Sequence, residues 1–285
     1  MPTIGVQMMM LKAKVAEAGP YETLRRLTDI GFRAVEISQI PMSPDNVAQM
    51  SRAREDLGVD VGSLSATLEA RGGANDSLTA NYDKVVADAT RLGARHIRIG
   101  MMPFWAMESL EALLEFCQLA DKTALQLADA GIALSYHNHH YEFAKAGGRH
   151  LLDIISQEAP NLRLQLDVHW VQRGGRDPVR TLAKYAGRVD LVHLKDYRIG
   201  LPGASAFEAL RQGDDATFRA ALADVVQFGE VGEGTLDWRE IIDQSVESGA
   251  QYLFIEQDQH YGRDPFDCLV TSYDNLVELG YRQMM

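Results

Sequence analysis

The sequence of 285 residues predicts an α/β fold, and within that class a (β/α)8 TIM barrel. Three observations favour this fold: short apolar runs alternate with helical patterns, the alternation occurs eight times, and most helical patterns end at a glycine. Alternating βα units indicate a parallel sheet, and eight such units are enough to close a barrel. A doubly wound sheet usually has fewer strands and a glycine-rich first turn, which residues 7–12 lack.

Each predicted strand is a short apolar run, as expected of strands that are buried on both faces. Glycine is the natural residue after a helix, because a left-handed backbone costs it no clash with a Cβ atom. In chain order the strand runs are TIGVQMM, RAVEIS, VDVGSLS, HIRIG, IALSYHN, LRLQLD, VDLVHLK and YLFIEQ. The glycines that stand shortly before six of these runs are Gly31, Gly58, Gly93, Gly131, Gly187 and Gly249.

Helical periodicity fills most of the segments between the strands. The long connection between strands seven and eight, residues 196–250, is too irregular for one helix. Long loops in compact domains are usually functional, and this one would lie over the carboxyl ends of the strands. No linker or low-complexity tract interrupts the chain, so we expect a single domain over residues 1–285. The clearest predicted helices cover residues 21–30, 44–57, 78–92, 107–130 and 266–279.

The composition restricts the class of function. The chain has 40 acidic and 28 basic residues, a formal net charge of −12, whereas nucleic-acid-binding proteins normally present a basic surface. We therefore expect no nucleic-acid partner. No run approaches the roughly 18 apolar residues of a membrane span, and the N-terminus has no signal-peptide pattern, which favours a cytoplasmic protein without a membrane partner. Cys117 and Cys268 have no metal-binding spacing and are expected to be reduced thiols.

Residues that bind divalent metals stand at the ends of successive predicted strands. Asp167 ends strand six, His193 lies near the end of strand seven, and Glu256 ends strand eight. The carboxyl ends of all barrel strands converge on one face, and buried like charges are costly unless a cation neutralises them. A set of carboxylates with one imidazole and no thiolate suits Mn²⁺, Co²⁺, Mg²⁺ or Zn²⁺. The sequence therefore predicts one divalent metal centre on this face.

Strand five leaves the fourth metal ligand open. It ends in HNHHYEF, and alternation along a strand places His137 and His139 on the same side. We expect Glu142, which follows shortly after, to be the fourth ligand, with His137 as the alternative. His139 is then expected to form a hydrogen bond with the substrate, as is His137 if it does not bind the metal.

Further candidates for substrate binding or catalysis lie close to these strand ends. Glu36 ends strand two and is expected either to bind substrate hydroxyls or to form a structural ion pair. Lys195, in the motif HLKD, is a candidate base or electrostatic stabiliser, with a salt bridge to Asp196 or another neighbour as the alternative. His169 and Trp170 follow Asp167 and are expected to flank the bound substrate, where an indole ring can pack against a sugar.

Five motifs, YHNHHYEF, LQLDVHW, VHLKD, EVGEGTLDW and FIEQD, resemble those of the xylose-isomerase-like TIM barrels, the sugar phosphate isomerase/epimerase superfamily. The resemblance covers essentially the whole chain. It implies a divalent metal, often Mn²⁺, held by Glu, Asp, His and Glu from consecutive strands. Asp167, His193 and Glu256 match three of these positions, whereas many family epimerases place a glutamate where this chain has SYHNH. The HNH variant also resembles branches that dehydrate inososes or act on 3-keto-glycosides.

These observations predict a metal-dependent isomerase or epimerase of a sugar, polyol or keto-sugar, with Mn²⁺ as the first choice of metal. The metal would bind a carbonyl and its neighbouring hydroxyl, which makes the α-proton removable and stabilises an enediolate. Glu142 and Glu256 would be the acid/base pair, assisted by His139 or Lys195.

Three alternatives remain open, and they differ in the chemistry that they require. A lyase would form the same enediolate but expel a β-leaving group. An apurinic-site endonuclease of the same superfamily would need more histidine ligands and a basic DNA surface, which the net charge disfavours. A sugar-binding barrel would bind without catalysis. If the protein is a sugar-converting enzyme, its partner is a small sugar molecule. The family resemblance also implies that the protein forms a homodimer.

Overall fold

The computed structural model describes residues 1–70 and 75–285, and within these it forms a closed barrel of eight parallel strands. The ring closes because the last strand pairs in parallel with the first, with Thr3 opposite Tyr252 and Val6 opposite Ile255. The predicted (β/α)8 TIM barrel is therefore confirmed. The barrel strands are β1 (Thr3–Gln7), β2 (Ala34–Ile37), β3 (Asp60–Ala66), β4 (His96–Ile99), β5 (Ala133–His137), β6 (Arg163–Asp167), β7 (Val189–Leu194) and β8 (Tyr252–Ile255).

Helices connect the strands, and local sequence sets several of their ends. The first helix begins earlier than predicted, and it is kinked where Gly19 has a φ of 82° and Pro20 follows. Ser109 accepts a hydrogen bond from the backbone N–H of Ala112 and so begins the fourth helix. The helices are α1 (Lys12–Ile30), α2 (Pro44–Leu57), α3 (Tyr82–Leu92), α4 (Leu110–Asp129), α5 (Leu151–Glu158), α6 (Val168–Arg173), α7 (Pro178–Lys184), α8 (Ala204–Arg211), α9 (Asp215–Ala223), α10 (Trp238–Glu247) and α11 (Pro265–Glu278).

The long connection between β7 and β8 contains an additional antiparallel strand pair. Asp196–Ile199 pairs with Val226–Gly229, and helices α8 and α9 come between these two strands in the order of the chain. A smaller pair, Lys145–Ala146 with Arg149–His150, follows β5. Both pairs begin after the carboxyl end of a barrel strand, so they lie on the face where the predicted site residues converge.

Polar side chains from several strands are buried inside the barrel. Gln165 of β6 donates a hydrogen bond to Glu36 of β2, and Arg98 of β4 forms an ion pair with the same carboxylate. β6 and β2 are not neighbours in the barrel, so these contacts cross its interior. The polar residues therefore form a network beneath the mouth of the barrel.

The apolar side chains of strands and helices form one hydrophobic cluster that extends from Ile4 to Met284. Cys117 and Cys268 are both buried free thiols, and burial raises the pKa of each to about 12. Across residues 1–70 and 75–285, no helix is both long enough and apolar enough to span a membrane.

Candidate metal centre

Four buried side chains at the ends of β5, β6, β7 and β8 converge on one point. His137, Asp167, His193 and Glu256 each offer one ligand atom, and these atoms lie within 4.8 Å of one another. His193 Nδ1 lies 2.7 Å from Glu256 Oε2 and 3.8 Å from Asp167 Oδ2. His137 Nε2 lies 4.0 Å from Asp167 Oδ2. Two imidazole nitrogens and two carboxylate oxygens form a donor set that could hold a divalent ion.

Asp167 has one carboxylate oxygen that serves the fold and one that faces the cluster. Its Oδ1 accepts a hydrogen bond of 3.0 Å from the backbone N–H of Trp170, so Asp167 caps the N-terminus of α6. Its Oδ2 is buried and accepts no hydrogen bond within the described parts of the chain, although the Lys195 ammonium is 3.2 Å away. Burial raises the pKa of Asp167. This buried oxygen therefore lies where a positive charge, from Lys195 or from a metal ion, can bind it.

Two carboxylates orient the imidazole of His193. Its Nδ1 is 2.7 Å from Glu256 Oε2, and its Nε2 is 2.8 Å from Glu36 Oε1. Burial alone would lower the pKa of His193, but the charges of Glu256 and Glu36 raise it to about 9. If Nε2–H donates to Glu36, the lone pair of Nδ1 is directed at the cluster. A carboxylate behind a histidine in this way is a common support for a metal ligand.

Glu36 is a structural residue in this arrangement. Its side chain is fully buried and contacts Arg98 at 2.8 Å, Gln165 at 2.6 Å and His193 at 2.8 Å. Burial acts to raise its pKa, but Arg98 and His193 outweigh this and lower it. Both of its oxygens contact protein groups, as the expected structural ion pair requires, and Glu36 is not among the residues that line the cavity above the cluster.

Glu142 does not join the cluster, contrary to the expectation that it is the fourth ligand and a catalytic base. Its Oε1 accepts a hydrogen bond of 2.5 Å from the Tyr136 hydroxyl, and its Oε2 accepts one of 2.8 Å from the His139 backbone N–H. Neither hydrogen-bond donor to Glu142 belongs to the group of four converging side chains. The structure instead brings His137 into the fourth position.

Lys195 lies among three carboxylates, with 2% of its side chain exposed. Its Nζ is 3.2 Å from Asp167 Oδ2, 2.9 Å from Glu256 Oε2 and 3.1 Å from Asp258 Oδ1. Burial alone would lower the pKa of Lys195, but these charges together raise it. The alternative partner Asp196 is engaged elsewhere, because its Oδ2 accepts a hydrogen bond of 2.6 Å from the Trp238 indole N–H.

A cavity of about 260 Å³ opens above the cluster. His139 lines it, and burial lowers the pKa of His139 to about 3, so this imidazole is neutral near pH 7. Its Nδ1 forms no hydrogen bond with the part of the chain that the structure describes. A larger groove of about 360 Å³ lies near His150 and Arg180, away from the four converging side chains. The polar groups that line the smaller cavity include Ser38, Thr67, Arg98, His137, Lys195, Glu256 and Asp258.

His169 and Trp170 lie beside the cluster but are not among the residues that line the cavity. The ring of His169 is buried between Trp170, at 4.6 Å, and Phe228, at 5.0 Å between ring centroids. The Trp170 ring lies 5.1 Å from Lys195 Nζ and 5.5 Å from the His139 ring. The Trp170 ring therefore packs beside Lys195 and His139, and His169 packs against Trp170.

Sequence reasoning missed several residues that complete the site. Gln7 of β1 donates a hydrogen bond of 2.8 Å to Glu256 Oε1, and Arg98 of β4 forms the ion pair with Glu36. Asp258 follows Glu256 by two residues and reaches Lys195. The available signal was a polar residue inside an apolar strand run, as in TIGVQ and HIRI.

Comparisons with known proteins agree with this architecture. A sugar phosphate isomerase/epimerase from Parabacteroides distasonis is 19% identical, with 99% of this chain and 96% of that chain covered and a TM-score of 0.73. A structure of L-ribulose 3-epimerase is 18% identical, with 100% and 96% covered and a TM-score of 0.67. The probable 3-DHS dehydratase AsbF from Bacillus anthracis is 15% identical, with 97% and 99% covered and a TM-score of 0.67.

At these identities the solved structures establish the shared fold and no more. None of the curated proteins matches the chain. The family model described as xylose isomerase-like TIM barrel matches residues 24–267, which is most of the chain. The chain therefore belongs to the xylose isomerase-like TIM barrel family.

Proposed function

We propose that this protein is a divalent-metal-dependent enzyme that isomerises or epimerises a small keto-sugar, or a related polyol, through an enediolate. The convergence of four buried ligand-type side chains at the floor of a polar cavity is the observation that carries the proposal. A sugar-processing role is also in keeping with the family to which the chain belongs. The cavity of about 260 Å³ suits a small substrate.

His137, Asp167, His193 and Glu256 would hold the metal. When bound, the ion supplies Lewis-acid polarisation of a substrate ketone, which acidifies the neighbouring C–H bond. Mn²⁺ stays the first choice, and the second imidazole, from His137, makes Zn²⁺ and Co²⁺ the next candidates. Asp167 Oδ2, which accepts no hydrogen bond within the described residues, supports this assignment.

Residues that line the cavity would transfer the proton, stabilise negative charge and bind the substrate. Burial acts to raise the pKa of Glu256, but Lys195 and His193 outweigh burial and lower this pKa well below its ordinary value. Glu256 is therefore ionised near pH 7, the protonation state that a metal ligand and a general base both require. Lys195 would stabilise negative charge that develops on the substrate oxygen. Arg98 and His139 would bind hydroxyl groups.

A lyase is the second candidate, and the position of Glu142 favours it. Epimerisation through two carboxylates needs a base on each side of the substrate, and Glu142 is not among the residues of the cluster or the lining of the cavity. Elimination needs one base and one acid near the leaving group. Asp258, which lines the cavity and contacts Lys195, would be the second acid/base group.

Exchange of the α-proton in deuterated water, followed by NMR, tests the proposal. Metal-loaded protein would be incubated with ketopentoses, ketohexoses, keto-inositols and 3-keto-glucosides. Exchange with recovery of an isomeric sugar supports an isomerase or epimerase, and exchange with loss of water or an alcohol supports a lyase. Bound metal without exchange of any substrate in the panel would contradict enediolate chemistry and leave a sugar-binding barrel.

A further inference from the structure

Lys195 occupies the position of a competing cation. Its ammonium contacts Asp167 Oδ2 at 3.2 Å and Glu256 Oε2 at 2.9 Å. These are the same two oxygens that lie closest to His193 Nδ1 in the candidate metal centre. A divalent ion held by those atoms would therefore share its ligands with a buried positive charge. Like charges at this separation repel strongly where water is excluded.

Asp258 gives the ammonium a second place to bind. It is absent from the group of four ligand-type residues, yet its two oxygens lie 3.1 and 3.3 Å from Lys195 Nζ. Its side chain is 27% exposed and lines the cavity, whereas that of Asp167 is fully buried. A short movement of the flexible lysine side chain would thus keep one carboxylate partner while releasing the other two.

The charges around Lys195 leave room for a dication. Asp167, Glu256 and Asp258 carry three negative charges, and the ammonium neutralises one. With His193 neutral, as a metal ligand must be, the remaining two match the charge of a divalent ion. Glu36 does not alter this balance, because Arg98 forms an ion pair with it at 2.8 Å.

We propose that Lys195 is a built-in competitor of the metal, which holds Asp167 and Glu256 together before loading and moves onto Asp258 when the ion binds. Lys195 and Asp258 then set the affinity of the centre, and metal loading places the ammonium at the cavity side, where substrate oxygens arrive. This inference rests on the proposed function, because it presupposes that the cluster binds a divalent ion.

A fixed counter-ion would have the opposite effect on metal affinity. If Lys195 merely held the carboxylates in place for the metal, its removal would disorder the ligands and weaken metal binding. If Lys195 competes, its removal leaves three carboxylates uncompensated and tightens metal binding. The sign of the change therefore separates the two roles, independently of catalytic activity.

The test is the dissociation constant for Mn²⁺ and for Zn²⁺, measured by chelator competition on the full-length metal-free protein. Lys195→Met, which keeps the length of the side chain, is expected to bind both ions at least about tenfold more tightly. Asp258→Asn removes the second position of the ammonium and is expected to bind at least about fivefold more weakly. Unchanged or weaker binding by Lys195→Met would overturn the proposal.

The double variant Lys195→Met/Asp258→Asn tests whether Asp258 acts on the metal through Lys195 or attracts the metal directly by its own charge. If Asp258 acts through Lys195, Asp258→Asn changes affinity less than about threefold once the lysine is gone. An equal loss in both backgrounds would mean that Asp258 attracts the metal directly, and the proposal would be wrong. Lys84→Met is the matched control, because it removes the same charge from a surface lysine that pairs with Asp76 and Asp88.

Two further measurements cover a methionine variant that does not fold and a wild-type protein that binds no metal. Lys195→Gln retains hydrogen bonding to the carboxylates, so it serves if the methionine variant does not fold, and it too is expected to bind metal more tightly. A wild-type protein that binds neither ion would contradict the metal centre itself, and with it this inference. A wild-type protein that binds metal, with no tighter binding by either lysine variant, would contradict only the competition by Lys195.

Discussion

His137, the last residue of β5, and Glu142, five residues further on, are both buried, yet their surroundings differ. Both oxygens of Glu142 accept protein hydrogen bonds, from Tyr136 and from the His139 backbone. His137 faces Asp167 across 4.0 Å. Glu142 is held by the turn that follows β5, whereas His137 faces the other ligand-type side chains of the cluster. Residue type alone therefore does not identify a metal ligand.

The largest expected effect comes from the Asp167 oxygen that accepts no hydrogen bond in the described chain. Asp167→Asn keeps the size of the side chain and can still begin α6, but it removes the negative charge next to His193 and Lys195. We expect metal affinity to fall by about 100-fold or more, with loss of any α-proton exchange. Metal content after dialysis, by mass spectrometry, is the measurement. Full metal content in this variant would contradict the proposed centre.

Glu36 tests the support behind the cluster. Glu36→Gln keeps the side-chain shape but replaces the acceptor of His193 Nε2 with a neutral amide and leaves Arg98 without its partner. We expect metal affinity to fall by about 10- to 100-fold. Titration with Mn²⁺ against a chelator gives the constant. A direct role in substrate binding would instead raise KM while metal affinity stayed at the wild-type level.

His137→Glu sharpens the contrast at β5 by placing a carboxylate where the structure has an imidazole. Because imidazole favours Zn²⁺ and carboxylates favour Mn²⁺, the ratio of Zn²⁺ to Mn²⁺ affinity should fall by about tenfold. The two dissociation constants of wild type and variant decide this. His139→Gln, next along the same side, is the matched control and should leave the ratio unchanged. An unaltered ratio in His137→Glu would remove His137 from the ligand set.

The sequence predicts Asp167, His193 and Glu256 as ligands because each lies at a strand end, and it leaves His137, at the end of β5, as the alternative to Glu142. Alternation fixes the face on which such a residue lies, and barrel closure then brings the strand ends together. Glu142 was not predictable, because the turn after β5 decides its direction. The partners of Glu36 and Glu256 were also hidden, since they come from other strands; Gln7 and Glu256 are 249 residues apart. The strand pair between β7 and β8 was not predicted, because in the sequence this connection shows only that it is too irregular for one helix.

Glu142→Gln should affect stability and leave the metal centre intact. An amide in place of the carboxylate turns one acceptor into a donor that faces the Tyr136 hydroxyl or the His139 N–H. We expect the free energy of unfolding to fall by about 1–3 kcal/mol, with metal affinity within about threefold of the wild-type value. Urea denaturation and chelator competition measure the two quantities. Lost metal at unchanged stability would return Glu142 to the role of ligand.

Trp170 provides the smallest expected change and shows that a free polar atom is not by itself evidence of function. Its indole N–H has no hydrogen-bond partner in the parts of the chain described, like Asp167 Oδ2, but it carries no charge and does not line the cavity. Trp170→Phe should therefore change the free energy of unfolding by less than about 1 kcal/mol, because no hydrogen bond is lost. Metal affinity should stay the same, since an aromatic ring remains beside Lys195. Urea denaturation and metal titration check both statements, and a variant that keeps its metal but no longer exchanges the α-proton would show that the indole N–H contacts the substrate.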